Sequence, residues 1–169
     1  MIKRTELRKL ARARLKEAQF LFAVKQYDAA TYLSGYAIEM ALKARICQTL
    51  GWTDFPQTNK EFIRLSCEIT EKSLKSKRFQ KLYDINPNDF CDLYERYFQN
   101  PRFLKVHDLM TLLKFSGIAD KVKAHCSTEW IYVSDEWTPE NRYRKIGSDT
   151  KLTAKTMLDA IEKLLGIIL

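Results

Sequence analysis

Apolar residues recur at steps of three and four along most of this chain, and that spacing predicts helices. From Ile2 to Gln26, Leu7, Leu10, Ala11, Leu15, Ala18 and Phe22 share one face, while Arg8, Arg12 and Lys16 occupy another. The break Lys25-Gln26-Tyr27-Asp28 separates this from a second helix, Ala29 to Leu50, with Asp28 expected to cap its start and Gly51 to end it. The short break makes the two helices antiparallel. On the second, Leu33, Ala37, Met40, Ala41, Ala44 and Cys47 form a stripe of mostly small side chains that suits close helix approach. Gly35 is accepted in mid-helix at a cost of about 1 kcal/mol relative to Ala. Glu39 and Lys43 stand at i,i+4 in the favourable order, and their apolar neighbours predict a partly buried pair.

The stretch from Trp52 to Pro101 is less regular. Short helices are expected over Lys60 to Glu71, Leu74 to Asp84 and Asn88 to Gln99, with breaks at Asn86-Pro87 and Asn100-Pro101. Beyond Pro101, the residues Phe103, Val106, Leu109, Met110, Leu112 and Leu113 predict another amphipathic helix, ended by Gly117. Ile118 to His125 reads as a short further segment. The following WIYVSDEW alternates like a strand but has no partner strand, so an extended connection or a helical turn is expected. Leu152 to Leu169 carries Met157, Leu158, Ile161, Leu164, Leu165 and Ile168 on one side and closes the fold. The expectation is all-α: an up-and-down antiparallel bundle of four to five main helices. It forms a single domain over 1–169 with a helical elaboration at about 52–101.

Composition agrees with long periodic segments. The 169 residues include only five glycines and four prolines, with 46% apolar and 30% charged residues. The first twenty residues are charged every few positions and are no secretory signal. The apolar end, LLGIIL, is far shorter than the roughly 20 residues needed to cross a bilayer. A cytoplasmic protein with reduced thiols and no membrane contact is expected. The four cysteines, Cys47, Cys67, Cys91 and Cys126, contain no CxxC, and with two histidines they offer no zinc set. No metal and no cofactor are expected.

Charge adds a functional direction. The formal charge is +8 and the pI about 9.3, a surplus that attracts phosphates, nucleic acid or acidic partners. Between Lys3 and Lys16, the residues Lys3, Arg4, Arg8, Lys9, Arg12, Arg14 and Lys16 stand against one acid, Glu6. Lys72, Lys75, Lys77, Arg78 and Lys81, interleaved with Phe79 and Tyr83, have the pattern of a single-strand contact surface. For each run an ordinary solvated helix face is the first reading and the phosphate-bearing partner the second.

Three motifs then stand in a demanding order: Ala37-Ile38-Glu39-Met40-Ala41-Leu42-Lys43-Ala44, His107-Asp108-Leu109-Met110-Thr111-Leu112, and Arg142-Tyr143 ahead of the last helix. In this the chain resembles the HEPN family (higher eukaryotes and prokaryotes nucleotide-binding). The likeness covers about the first 50 and last 70 residues, and the middle is longer than the family's usual connection. It implies a helical bundle that pairs as a two-fold homodimer and often works beside a minimal nucleotidyltransferase. It also implies a nucleotide- or RNA-related role in toxin-antitoxin or defence systems. Many family members are metal-independent RNases with an Arg-x(4 to 6)-His motif.

Arg102-Phe-Leu-Lys-Val-His107 fits that motif. Such chemistry needs His to move protons and Arg to stabilise the charge on the phosphorane. Two features depart from the family nucleases: Phe103 follows the arginine where a polar residue is usual, and the motif lies earlier in the chain. His107 otherwise serves a structural role, capping a helix or meeting Glu39. Arg142 and Tyr143 are the candidate phosphate and base contacts, together with Glu39 and Lys43 on the second helix. Arg142 and Tyr143 equally serve as anchors of the WTPENRY turn, and Asp135 and Glu140 offer carboxylates to a ribose or to Arg142. His125 reads as incidental, and Trp52, Trp130 and Trp137 as core or lid residues. The leading expectation is nucleotide or RNA binding. The alternatives are a metal-independent endoribonuclease toxin using Arg102 and His107, and a non-catalytic interaction scaffold.

Overall fold

The structure, a computed structural model, describes residues 1–58, 60–61, 64–65 and 107–169. Its elements are helical, apart from one two-residue antiparallel pair in which Ile2–Lys3 (β1) meets Asp54–Phe55 (β2). The helices described from end to end are α1 (Arg4–Ala23), α2 (Tyr27–Leu50), α3 (Leu109–Ser116), α4 (Ala119–Glu136) and α5 (Lys151–Ile168), with a 3-10 turn at Pro139–Tyr143 between the last two, and residues 60–61 and 64–65 are helical as well. This is the expected all-α bundle. Among the described residues no helix is long and apolar enough to cross a membrane.

The central helix is α2, packed on α1, α5 and α3, while α4 lies chiefly against α5. Its position follows from its sequence: Ala30, Ala37, Ala41 and Ala44 are buried, and such small side chains let neighbouring axes come close. Leu7, Ile38, Leu42, Leu112, Ile161 and Leu164 fill the shared core and are wholly buried, each worth roughly 1.5–3 kcal/mol. Gly51 ends α2 at φ 72, the left-handed backbone that costs an L side chain energy.

The Val24–Gln26 connection turns the chain by a Schellman arrangement, with Lys25 N–H donating to Phe22 O and Gln26 N–H to Leu21 O. The left-handed position is held by Lys25, at φ 65, not by glycine. Asp28 does not cap α2, which begins earlier, at Tyr27. Its carboxylate instead accepts the backbone N–H groups of Gly147 at 2.6 Å and Asp149 at 2.7 Å, tying the start of α2 to the α4–α5 connection. A distant pair of unsatisfied donors outcompetes the local cap.

Of the two readings of WIYVSDEW the helical one holds, and one further expectation is corrected. WIYVSDEW is helical through Glu136, because Val122, Cys126, Trp130 and Val133 recur at helical steps and are all buried. The apparent alternation reflects a helix amphipathic only on a narrow face. The break expected near His125 survives as a kink at Cys126, with φ −144 and ψ 37. The helix expected from Phe103 starts only at Leu109: Asp108 is its N-cap, accepting from the Met110 N–H, so His107 lies outside the helix. Most of the middle elaboration, including the helices expected over 74–84 and 88–99 and the basic run from Lys72 to Lys81, lies outside the described residues, as do Cys67, Cys91 and Arg102.

Candidate functional site

Tyr32, Tyr36, Glu39 and Lys43 follow one another on α2 at steps of four, three and four, which puts them on one face of the helix. Two segments distant in sequence come to that face. One brings His107 ahead of α3, and the other brings Trp137 and the 3-10 turn after α4.

Glu39 is the centre of the ionic part. Its side chain has no solvent exposure, and it takes the Lys43 ammonium on one oxygen at 2.5 Å and His107 Nδ1 on the other at 2.8 Å. Lys43 also stands 5.5 Å from the centroid of the Phe55 ring, a cation–π contact contributed by β2. A carboxylate accepts, so Nδ1 carries the proton in this contact, and in the neutral imidazole Nε2 keeps its lone pair. The imidazole itself remains 44% exposed.

The aromatic part continues from it. The Tyr36 ring is edge-on to His107 at 6.2 Å and to Trp137 at 5.4 Å, and its hydroxyl meets that of Tyr32 at 2.9 Å. Burial pushes the Tyr36 phenol up to about 12, with Tyr32 and the Glu39 charge adding to the rise and Arg142 opposing it. It therefore stays protonated at neutral pH, a hydrogen-bonding group and not a base. Trp137 donates its indole N–H to Tyr32 O at 2.9 Å and lies against Gly35. A Cβ at Gly35 would come within 2.1 Å of the indole ring, so the glycine supplies the space that docks the turn.

Beyond Trp137, the Arg142 guanidinium stacks over the Tyr143 ring at 4.8 Å. The Arg142 pKa is raised, first by the Tyr143 phenol and further by the Tyr32 hydroxyl. Tyr143 is 76% exposed, so the pair is an outward-facing stack and not an anchor in the core. A cleft of about 390 Å³ opens beside it, between the start of α3 and the 3-10 turn.

The expected residues thus fall into two connected groups: Glu39 and Lys43 with His107, and Arg142 with Tyr143. Tyr32 and Tyr36 bridge them, and sequence reasoning did not single these out. Their signal was present, since they share the helical register of Glu39 and Lys43. Trp52, Trp130 and Trp137 are all buried core residues, and His125 is exposed away from the cleft. Of the basic residues on α1, Lys9 and Arg14 pair with Glu6 and Glu17, and Arg8 donates to the Leu169 carbonyl. Arg12 and Lys16 are exposed to solvent. Burial raises the Cys47 thiol to about 12, which removes it from nucleophilic chemistry.

Comparison with curated proteins and with solved structures gives no match. The family model of the HEPN domain matches residues 5–86, a span that holds α1, α2 and the Glu39–Lys43 half of the site. Residues 5–86, just under half of the chain, are thus similar to the HEPN domain, whose family has functions related to nucleotides and RNA.

Proposed function

We propose that this protein binds RNA or nucleotides on the strip that runs from Tyr143 and Arg142 through Tyr32 and Tyr36 to His107. The observation that carries this reading is the Arg142–Tyr143 stack, held at 4.8 Å and open to solvent. An exposed guanidinium grips phosphate in a bidentate fork, and an exposed ring stacks a base. The formal charge of +8 supports the same partner. Fluorescence anisotropy with labelled single-stranded RNA tests it. Wild type binds at low salt and weakens steadily as salt rises, and Tyr143→Ala and Arg142→Ala each lose about tenfold, in line with roughly 1–3 kcal/mol per stacked base. Absence of binding by wild type at low salt overturns the reading.

A second reading is favoured by one contact. With Nδ1 committed to the buried Glu39, His107 presents Nε2 as a proton acceptor. In a metal-independent endoribonuclease, Nε2 takes the proton of a ribose 2′-hydroxyl as that oxygen attacks phosphorus and the 5′-oxygen leaves. Arg102 would stabilise the phosphorane; it lies outside the described residues. Incubating labelled RNA in chelator with wild type and His107→Ala decides it: cleavage by wild type alone supports this reading, and equal inactivity removes it. The wider reading that we propose, implied by the resemblance of the three sequence motifs alone, is a homodimer acting with a minimal nucleotidyltransferase in a toxin-antitoxin or defence system. Light scattering and co-purification test those partners.

A further inference from the structure

The cleft beside the strip has a chemistry of its own. Its walls are His107 to Met110 on one side and, on the other, Ser134 and Trp137 to Glu140. At about 390 Å³ it falls within the range of small-molecule sites, roughly 300–1,000 Å³. Most of its polar groups are already engaged. Asp108 accepts from the Met110 N–H at 3.0 Å and from the Thr111 hydroxyl at 2.5 Å. Ser134 donates to Ile131 O at 3.1 Å, and the Thr138 hydroxyl lies 3.2 Å from Asn141 Oδ1.

Two groups remain. Among the described residues the Glu140 carboxylate has no hydrogen-bond or ion-pair partner, and His107 has Nε2 free while Nδ1 meets Glu39. Both are acceptors, so an occupant must bring donors. With Asp108 and Glu140 in the walls, the cleft repels phosphate, while Leu109, Trp137 and Pro139 provide an apolar lining. A ribonucleoside meets all of these conditions, because its sugar offers hydroxyl donors beside a flat base. Its phosphate then lies outside, towards Arg142, two residues beyond Glu140 in the chain.

We propose that the cleft between the start of α3 and the 3-10 turn holds a ribonucleoside unit, with the Glu140 carboxylate accepting from the ribose hydroxyls and so selecting RNA over DNA. Acidic side chains on ribose 2′-hydroxyls are a recurrent device in nucleotide recognition. The inference rests on the RNA- or nucleotide-binding reading above and adds to it the residue that tells the sugars apart.

The test is anisotropy with an RNA oligonucleotide and the DNA of the same sequence, using wild type, Glu140→Gln and Glu136→Gln. Glu136→Gln removes the same charge from the end of α4, outside the cleft. Losing a negative charge raises affinity for both strands in both variants, so the readout is the RNA:DNA affinity ratio. We expect a ratio of about ten for wild type and Glu136→Gln, falling towards one in Glu140→Gln. RNA binding with a wild-type ratio that is already one, or a ratio unchanged in Glu140→Gln, overturns this inference and leaves the RNA-binding reading standing. Failure of wild type to bind either strand overturns both.

Discussion

His107 Nδ1 lies 2.8 Å from Oε2 of Glu39, a carboxylate wholly shielded from solvent although His107 itself is 44% exposed. A buried charge on the central helix therefore holds a surface imidazole in one orientation. Glu39→Ala leaves the Lys43 ammonium, only 13% exposed, without its counter-ion. Breaking a buried pair by removing one partner costs about 3 kcal/mol. Urea denaturation is expected to show that loss, and a midpoint equal to that of wild type would refute it.

Gly35 and Trp137 make the joint between α2 and the turn that carries Arg142. Since a Cβ would sit 2.1 Å from the indole, Gly35→Ala drives the ring from its seat and costs about 1–3 kcal/mol. The same substitution in a Trp137→Ala background meets no ring, so it should cost much less there. A double-mutant cycle by thermal or urea unfolding measures the difference.

At the α1–α2 turn the strain is local. Lys25 holds φ 65, where most L residues pay roughly 1–2 kcal/mol and glycine does not. Lys25→Gly is expected to raise stability by about 1 kcal/mol with no change in the RNA:DNA preference. Equal or lower stability would show that the side chain compensates for its backbone.

Asp149 bears on pH dependence. Burial raises its pKa above the ordinary 3.8, and the nearby Asp28 carboxylate adds to the rise. A folded-state pKa above the unfolded one means that the native state holds the proton more tightly. The associated stability is full below about 3.8 and is lost as pH rises through the raised value. Asp149→Asn removes that loss, so its stability advantage over wild type grows between pH 4 and neutrality. Urea midpoints across this range check it, and parallel curves for the two proteins would contradict it.

Much of the architecture was legible in the amino-acid pattern. The α1 and α2 stripes, the Gly51 and Gly117 stops, the last helix and the Glu39–Lys43 pair all follow from interactions within four residues, where periodicity and propensity act. The same local reach explains the errors. Asp28 has the composition of a cap, yet its partners are Gly147 and Asp149, more than a hundred residues away. WIYVSDEW alternates in hydropathy, yet it is helical because Trp130 and Val133 face a core supplied by other segments.

The site divides along the same line. Residue types alone nominated Glu39, Lys43, His107, Arg142 and Tyr143, because charge, imidazole and aromatic chemistry are properties of single side chains. That His107 meets Glu39, that Tyr32 and Tyr36 bridge to Arg142, and that Glu140 faces a cleft with no partner among the described residues depend on three segments converging on one face of α2. Only the tertiary structure decided that, because the convergence is driven by burial of Trp137 against Gly35 and of the α3 and α4 apolar faces, contacts between residues far apart in the chain.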